Sequence, residues 1–330
     1  MSIFKGKIIL ITGGTGSFGK ACVKRLLEAH DPAAIRIFSR DELKQWEMAR
    51  EFHHDPRVRF FIGDVRDAGR LKRAFEGADY VIHAAALKHV PACEYNPVEA
   101  VRTNVDGAIN VINAALDTNV KKVIALSTDK AVNPVNIYGA TKLCSDRLFV
   151  QSNSYAGPVR QTRFSVVRYG NVMASRGSVI PLFRKQAESG VLTITDARMT
   201  RFWITLPHAV DFVLSSFEMM QGGEIFVPKI PSMKIADLAK TVAPKAKIKV
   251  IGIRPGEKLH ESLTTIEESP LIREMKDRYI VLSASREWEV DQSLYTRYKK
   301  VKEGFEYNSY DNKEYISAKK MTKILEELGV

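Results

Sequence analysis

The chain has 330 residues, 45% of them hydrophobic and 27% charged, with a formal net charge of +12. That length can bury a full core and suits a nucleotide-binding domain plus a smaller unit. Cys22, Cys93 and Cys144 lie far apart, with no Cys-x-x-Cys and no His/Cys cluster at ligand spacing, which argues against a disulfide framework and a metal site. The basic residues are spread along the chain without a binding module, so nucleic acid is not an expected partner. No apolar run approaches membrane-spanning length and Met1–Lys7 lacks the apolar core of a signal peptide, so a soluble cytoplasmic protein with no membrane partner is expected.

The first apolar run, Lys7 to Ile11, reads as a buried strand that empties into Thr12-Gly13-Gly14-Thr15-Gly16-Ser17-Phe18-Gly19 before a helical pattern over Cys22 to Leu27. Gly13, Gly16 and Gly19 make a G-x-x-G-x-x-G turn suited to a pyrophosphate, with Thr15, Ser17 and Phe18 as further cofactor contacts. The second strand, Ile35 to Phe38, ends in Ser39-Arg40-Asp41-Glu42-Leu43-Lys44, where an NAD enzyme would carry a carboxylate for the ribose. Ser39, Arg40 and Lys44 suit a 2′-phosphate, with Asp41 as a helix N-cap, so NADP is the expected cofactor. Asp64 and Val65, after the strand Val58 to Ile62, are placed beside the adenine; for Asp64 a turn or cap role is equally open.

Further strands are expected at Tyr80–His83, Val123–Leu126 and Phe164–Arg168, with helices at Pro97–Leu116 and Tyr138–Ser152. Alternating βα units predict an α/β fold: a Rossmann-like, doubly wound parallel sheet over residues 1–170, with a smaller, mainly substrate-binding domain over 171–330. Met199 to Gly222 reads as a loop followed by a helix, and the chain is expected to return to the nucleotide sheet within 201–230, near Glu224 to Val227. The tail Tyr295–Tyr315, rich in Tyr, Lys and Asn, reads as a peripheral flap or an oligomer contact.

At the end of the Val123 strand stand Ser127-Thr128-Asp129-Lys130, followed by Tyr138-Gly139-Ala140-Thr141-Lys142. Tyr138 and Lys142 are four apart and share a helix face, where the cation can lower the phenol's pKa. The spacing alone occurs on many solvated helices, and an exposed ion pair is the plain alternative for Asp129-Lys130. Beside the glycine turn, the set reads as equipment for redox and elimination chemistry on a sugar. His83 and His89 are read as structural, and neither Arg198 nor Arg201 is assigned.

These segments, with His83 to Pro91, Arg168-Tyr169-Gly170-Asn171-Val172 and Ile253-Arg254-Pro255-Gly256-Glu257-Lys258, occur in an order that closely resembles the inverting UDP-N-acetylglucosamine 4,6-dehydratases (5-epimerising) of the extended short-chain dehydrogenase/reductases. Retaining relatives carry Asp-Glu where this chain has Asp129-Lys130. Met173-Ala174, ahead of Ser175-Arg176-Gly177-Ser178, departs from the pseudaminic acid enzymes. The resemblance implies NADP, a UDP-N-acetylglucosamine substrate, the opening of the pseudaminic acid route that serves flagellin glycosylation, and a homo-oligomer, a hexamer. It implies Tyr138 as the base at the sugar 4-hydroxyl, assisted by Lys142. Neutral Lys130, its pKa depressed, would take the C5 proton and Asp129 would protonate the departing 6-hydroxyl, although the two can exchange roles as a coupled pair. Ala84, Ala85 and Lys88 would meet the cofactor. Lys88 and Asn171 would meet the sugar, Arg254 the diphosphate and Glu257 the uridine ribose. Thr128 would orient the 4-oxygen, unless it is a strand-end threonine satisfied by backbone. A UDP-hexose 4-epimerase shares the glycine turn and Tyr138/Lys142 but has no need of Asp129-Lys130, and a non-enzymatic NADP sensor could dispense with Tyr138.

Overall fold

A computed structural model describes residues 2–156, 161–173, 178–284 and 293–329. The first half alternates strand and helix: β1 (Ile8–Thr12), α1 (Ser17–Ala29), β2 (Ala34–Ser39), α2 (Glu42–Glu51), β3 (Val58–Ile62), α3 (Ala68–Phe75), β4 (Tyr80–His83), α4 (Val90–Tyr95), α5 (Pro97–Val101), α6 (Gly107–Asp117), β5 (Lys122–Thr128), α7 (Ile137–Gln151) and β6 (Arg163–Tyr169). The central strands are runs of Val, Ile, Leu and Phe buried on both faces, as a parallel sheet covered by helices requires.

The stretch read as one helix, Pro97 to Leu116, is divided: a π-helical turn, Arg102–Asp106, separates α5 from α6. Inside that turn the Asn104 side chain donates to Leu87 O (2.8 Å) and Thr141 Oγ1 (3.0 Å) and accepts from Leu87 N–H (2.8 Å). A wide turn around an inserted polar side chain is a recognised cause of such an interruption.

Beyond β6 come β7 (Asn171–Val172), β8 (Val191–Ile194), β9 (Thr200–Ile204), β10 (Ile225–Pro228), β11 (Ser232–Lys234), β12 (Lys247–Val250), β13 (Ile272–Glu274), β14 (Arg278–Val281) and β15 (Lys299–Lys300). Three sheets result: one of ten strands in the order β15-β13-β14-β10-β6-β5-β4-β1-β2-β3, one of three, β11-β9-β7, and the pair β12-β8. Strands β3 to β10 of the large sheet run parallel, and β14, β13 and β15 add an antiparallel edge. The strand order reverses between β1 and β4, which opens a crevice at the strands' C-terminal ends.

Two expectations are corrected by burial. Thr200–Ile204, read as loop, is the central strand of the three-stranded sheet, and all five residues are buried, Arg201 included. A charged residue inside a buried strand erased the period that would have signalled it. Tyr295–Tyr315 is no peripheral flap: Tyr295 is fully buried with its hydroxyl donating to Met219 O and Glu224 Oε1 (both 2.9 Å), and Tyr307 is buried against Phe202 and Tyr279.

The large sheet carries the main hydrophobic core. A second core gathers Met173, Ile180, Phe183, Trp203, Leu238 and Met321 around the small sheets and the helices Val179–Ala187, Ile235–Val242 and Ala318–Glu327. Of the departure at Met173-Ala174, Met173 is buried in this second core and Ala174 lies outside the described residues. Among the described residues no helix is long and apolar enough to cross a membrane.

Candidate active site

A cleft of about 700 Å³ lies at the C-terminal ends of β1, β2, β4 and β5 and reaches residues of β7 and β9. Its floor is the glycine turn. Gly13 has φ +65°, donates its N–H to Phe38 O (2.8 Å), and a Cβ there would lie 2.8 Å from the Ala85 backbone. Only glycine satisfies both the left-handed backbone and that approach. Gly16 caps α1 with no side-chain hydrogen bond, so the first amides of a thirteen-residue helix are left to a ligand. Gly13, Thr15, Gly16, Ser17, Phe18 and Gly19 all line the cleft.

Ser39, Arg40, Lys44, Asp64 and Val65 line the adjoining wall. Asp41 is the N-cap of α2, accepting from Lys44 N–H (3.0 Å) and pairing with the Lys44 ammonium. Asp64 accepts from the backbone and guanidinium of Arg66, and those bonds, with Arg40 at 3.8 Å, outweigh burial and hold its carboxyl below the usual value. Gln45 was not foreseen. It is buried, and its amide donates to Ser39 O, Ser39 Oγ and Phe61 O at 3.0–3.1 Å, which fixes the end of β2.

Ala84, Ala85 and Lys88 follow β4 into the same cleft, and Thr128, Lys130, Tyr138, Lys142 and Asn171 complete its far wall. Asp129 lies just beneath, fully buried: its Oδ1 accepts from Thr128 Oγ1 (2.9 Å) and Lys130 Nζ (3.0 Å), and its Oδ2 has no hydrogen-bond partner among the described residues. Gly139 explains how Tyr138 reaches this pair. A Cβ at Gly139 would stand 2.1 Å from Lys130 O, so the first turn of α7 rests directly on the Asp129–Ala131 turn. Asn136 caps that helix, accepting from Gly139 N–H (2.7 Å) and donating to Gly256 O (2.8 Å).

Two electrostatic expectations change. Lys130 was expected to have a depressed pKa. Burial does lower it, but the carboxylates of Asp129 and Glu261 outweigh burial and Arg201, and the value is raised: Lys130 is an ammonium ion. Lys88, by contrast, is held below its usual value, through desolvation by the cleft walls and the charge of Lys130. The Tyr138 phenol is pushed up by burial, and the opposing influence is a hydrogen bond with Thr128 rather than Lys142. Burial likewise lowers Lys142, against the pull of Asp146.

Behind this wall Asp146 accepts from Ser127 Oγ (2.7 Å) and pairs with Arg168 (3.4 Å), whose guanidinium also meets Glu268 (3.2 Å); all three are buried. His83 is buried too, its Nδ1 2.8 Å from Thr12 Oγ1, and burial lowers its pKa to about 3. Arg198 is engaged with Asp196, whereas Arg201 is largely buried and donates to Leu259 O and Lys258 O. Thr103 lines the cleft with a buried hydroxyl that has no hydrogen-bond partner among the described residues.

Arg254 and Glu257 are not brought into the cleft wall. Glu257 accepts from Arg254 N–H (3.3 Å) in a turn that Asn136 ties to the start of α7. Glu261 escaped sequence reading altogether. It is buried, 3.7 Å from Lys130 and Arg201 and 3.0 Å from Lys258. Nothing local in His260-Glu261-Ser262 distinguishes it from a solvated acid.

A parallel sheet with a glycine turn at its switch point, a Tyr-x-x-x-Lys helix and strands of a small second sheet beside the cleft define an extended short-chain dehydrogenase/reductase. The model of the polysaccharide biosynthesis protein family matches residues 9–283. The chain is 55% identical over 330 residues to the UDP-N-acetylglucosamine 4,6-dehydratase (inverting) of Campylobacter jejuni, covering 98% of each chain. The UDP-glucose 4-epimerase of Rickettsia conorii is 46% identical, over 94% of this chain and 93% of that one. Among solved structures, Pen from Bacillus thuringiensis matches with a TM-score of 0.90 and 40% identity, covering 99% of both chains. The chain belongs to the polysaccharide biosynthesis protein family and, within it, to the family of the inverting UDP-N-acetylglucosamine 4,6-dehydratases.

Proposed function

We propose that the protein is a UDP-N-acetylglucosamine 4,6-dehydratase that inverts C5, giving UDP-2-acetamido-2,6-dideoxy-β-L-arabino-hex-4-ulose. The observation that carries the reading is the Asp129–Lys130 pair, 3.0 Å apart at the end of β5 and beneath the first turn of the Tyr138 helix. When bound, the nicotinamide cofactor accepts hydride from C4 and returns it to C6. The open amides at the start of α1 fit its pyrophosphate. Ser39, Arg40 and Lys44, with no carboxylate at the end of β2 and Asp41 occupied as an N-cap, favour the 2′-phosphate of NADP.

Tyr138 takes the proton of the 4-hydroxyl as its phenolate, a form that burial opposes and that the positive charge of the oxidised cofactor, when bound, would favour, with the Thr128 hydroxyl aligning the 4-oxygen. The 4-ketone then acidifies C5. Because the pair carries its proton on nitrogen, Asp129 removes the C5 proton and Lys130 protonates the departing 6-hydroxyl, releasing water. After hydride returns to C6, Lys130, reprotonated from solvent, delivers a proton to the opposite face of C5, and Asp129 releases to solvent the proton it took, so both groups end as they began. Lys88 and Asn171 hold the sugar; both line the cleft, and Asn171 Oδ1 already accepts from Lys130 (3.2 Å). Arg254 and Glu257 take the diphosphate and uridine ribose, a role supported by the resemblance and by the anchoring of their turn to α7.

Proton NMR of UDP-N-acetylglucosamine with the protein in D₂O, with Lys130→Ala in parallel, tests this. A 6-deoxy-4-keto product of L-arabino configuration, deuterated at C5 and absent with the variant, is the expected result; a D-xylo product would overturn inversion. Interconversion with the galacto sugar would instead support a UDP-hexose 4-epimerase, the reading favoured by the similarity to the Rickettsia proteins.

A further inference from the structure

Glu261 is a carboxylate beside Lys130 that the proposed steps leave without work. Its carboxylate is almost wholly buried, yet it stands among three cations: Lys258 at 3.0 Å, Lys130 at 3.7 Å and Arg201 at 3.7 Å. Those cations outweigh burial and keep it below the usual glutamate value, so it is a resident anion. Its backbone is also hydrogen-bonded on both sides. Its N–H donates to Ser309 Oγ (3.0 Å), its carbonyl accepts from Ser309 N–H (2.8 Å), and Ser309 Oγ meets Thr200 Oγ1 (2.7 Å). Lys258 Nζ donates to Val132 O (2.9 Å), which ties the same segment to the turn that carries Lys130.

The charges facing Lys130 come from four directions: Asp129 on its own turn, Glu261 and Lys258 on the 258–261 segment, Arg201 on β9, and Lys88 after β4. Without Glu261, a single carboxylate would face the cations around Lys130, and like-charge repulsion with burial would weaken its hold on the proton.

We propose that Glu261 is a positioning residue for the C5 step: it fixes Lys130 as an ammonium ion beside Asp129, so that the pair begins elimination with the nitrogen as acid and the carboxylate as base. The role rests on the dehydratase reading. The proton Lys130 gives to the leaving hydroxyl departs in water, Asp129 holds the one taken from C5, and Glu261 keeps its charge throughout.

Glu261→Gln removes the charge at nearly constant shape, and Glu261→Asp keeps the charge one methylene further back; both are checked for native circular dichroism. The first readout needs no substrate. Lysines are labelled with carbon-13 at Cε, the Lys130 resonance is assigned by its absence in Lys130→Arg, and its titration is followed in each protein. Glu261→Gln is expected to lower the Lys130 midpoint by about one unit or more, with Glu261→Asp in between. If Glu261→Gln fails to fold, the smaller downward shift in Glu261→Asp carries the test. The second readout is turnover of UDP-N-acetylglucosamine in D₂O. Glu261→Gln is expected to lower kcat about 10- to 100-fold with KM within about twofold, and to move the alkaline limb of the pH profile down, since less base then strips Lys130 of its proton. An unmoved Lys130 midpoint in a folded variant overturns the proposal, as does a loss confined to KM. A shifted midpoint in a protein whose wild-type form leaves UDP-N-acetylglucosamine untouched supports the charge coupling and overturns the dehydratase reading beneath it.

Discussion

The two ends of the cleft are built by different means. At the cofactor end the working groups are mostly backbone: the turn from Thr12 to Gly19 presents amides, and what it needs from its surroundings is closeness, such as Ala85 against Gly13. At the catalytic end they are side chains whose charge states depend on residues more than seventy positions away, Lys130 on Arg201 and Glu261, and Asp146 on Glu268 through Arg168. A backbone site tolerates changes in its neighbours as long as space is kept. A site of buried charges fails when any member is lost, because the remaining ones are left desolvated and unpaired.

The largest test of that contrast is Arg168→Leu, which strands Asp146 and Glu268 inside the protein. It is expected to cost about 3–5 kcal/mol in urea unfolding, and a cost near zero would show the network to be slack. Next is Gly139→Ala. Its Cβ must push α7 off the Lys130 carbonyl, and a displacement on the order of 1 Å at Tyr138 should lower kcat about 100-fold while cofactor binding at the far end is spared.

His83 probes the junction of the two ends. Its folded pKa, about 3, lies below its ordinary 6.5, so the unfolded chain binds the additional proton between those values. Its contribution is complete above pH 6.5 and is lost as pH falls, at about 1.4 kcal/mol per unit. Unfolding measured at pH 7 and pH 5 should show roughly 2 kcal/mol lost from this group, and His83→Gln should flatten the slope by that amount. The smallest effect is expected at the backbone-built end. Arg40 is half exposed, and Arg40→Ala should weaken NADP about tenfold with NAD unchanged, measured by titration calorimetry; equal losses for both would deny Arg40 a role at the 2′-phosphate.

Most of the large sheet was legible because its signals are local. Val58–Ile62 and Tyr80–His83 form as read, and the other parallel strands differ by a residue or two at their ends. The glycine turn was legible for the same reason, since strand, turn and helix N-terminus are contiguous. Three features were not. The π-helical turn depends on Asn104 finding Leu87 and Thr141; β9 depends on partners at β7 and β11 and on a buried Arg201; and Tyr295 looked like tail until it met Glu224.

By itself, then, the sequence determined the order of βα units, the turn that can cradle a pyrophosphate and the grouping of Thr128, Asp129, Lys130, Tyr138 and Lys142, because hydrophobic period, backbone freedom and helical spacing are properties of neighbouring residues. The protonation of Lys130, the burial of Asp129 and the part played by Glu261 were decided only in the tertiary structure. A pKa follows from desolvation and from charges a few ångströms away, and those charges come from distant parts of the chain.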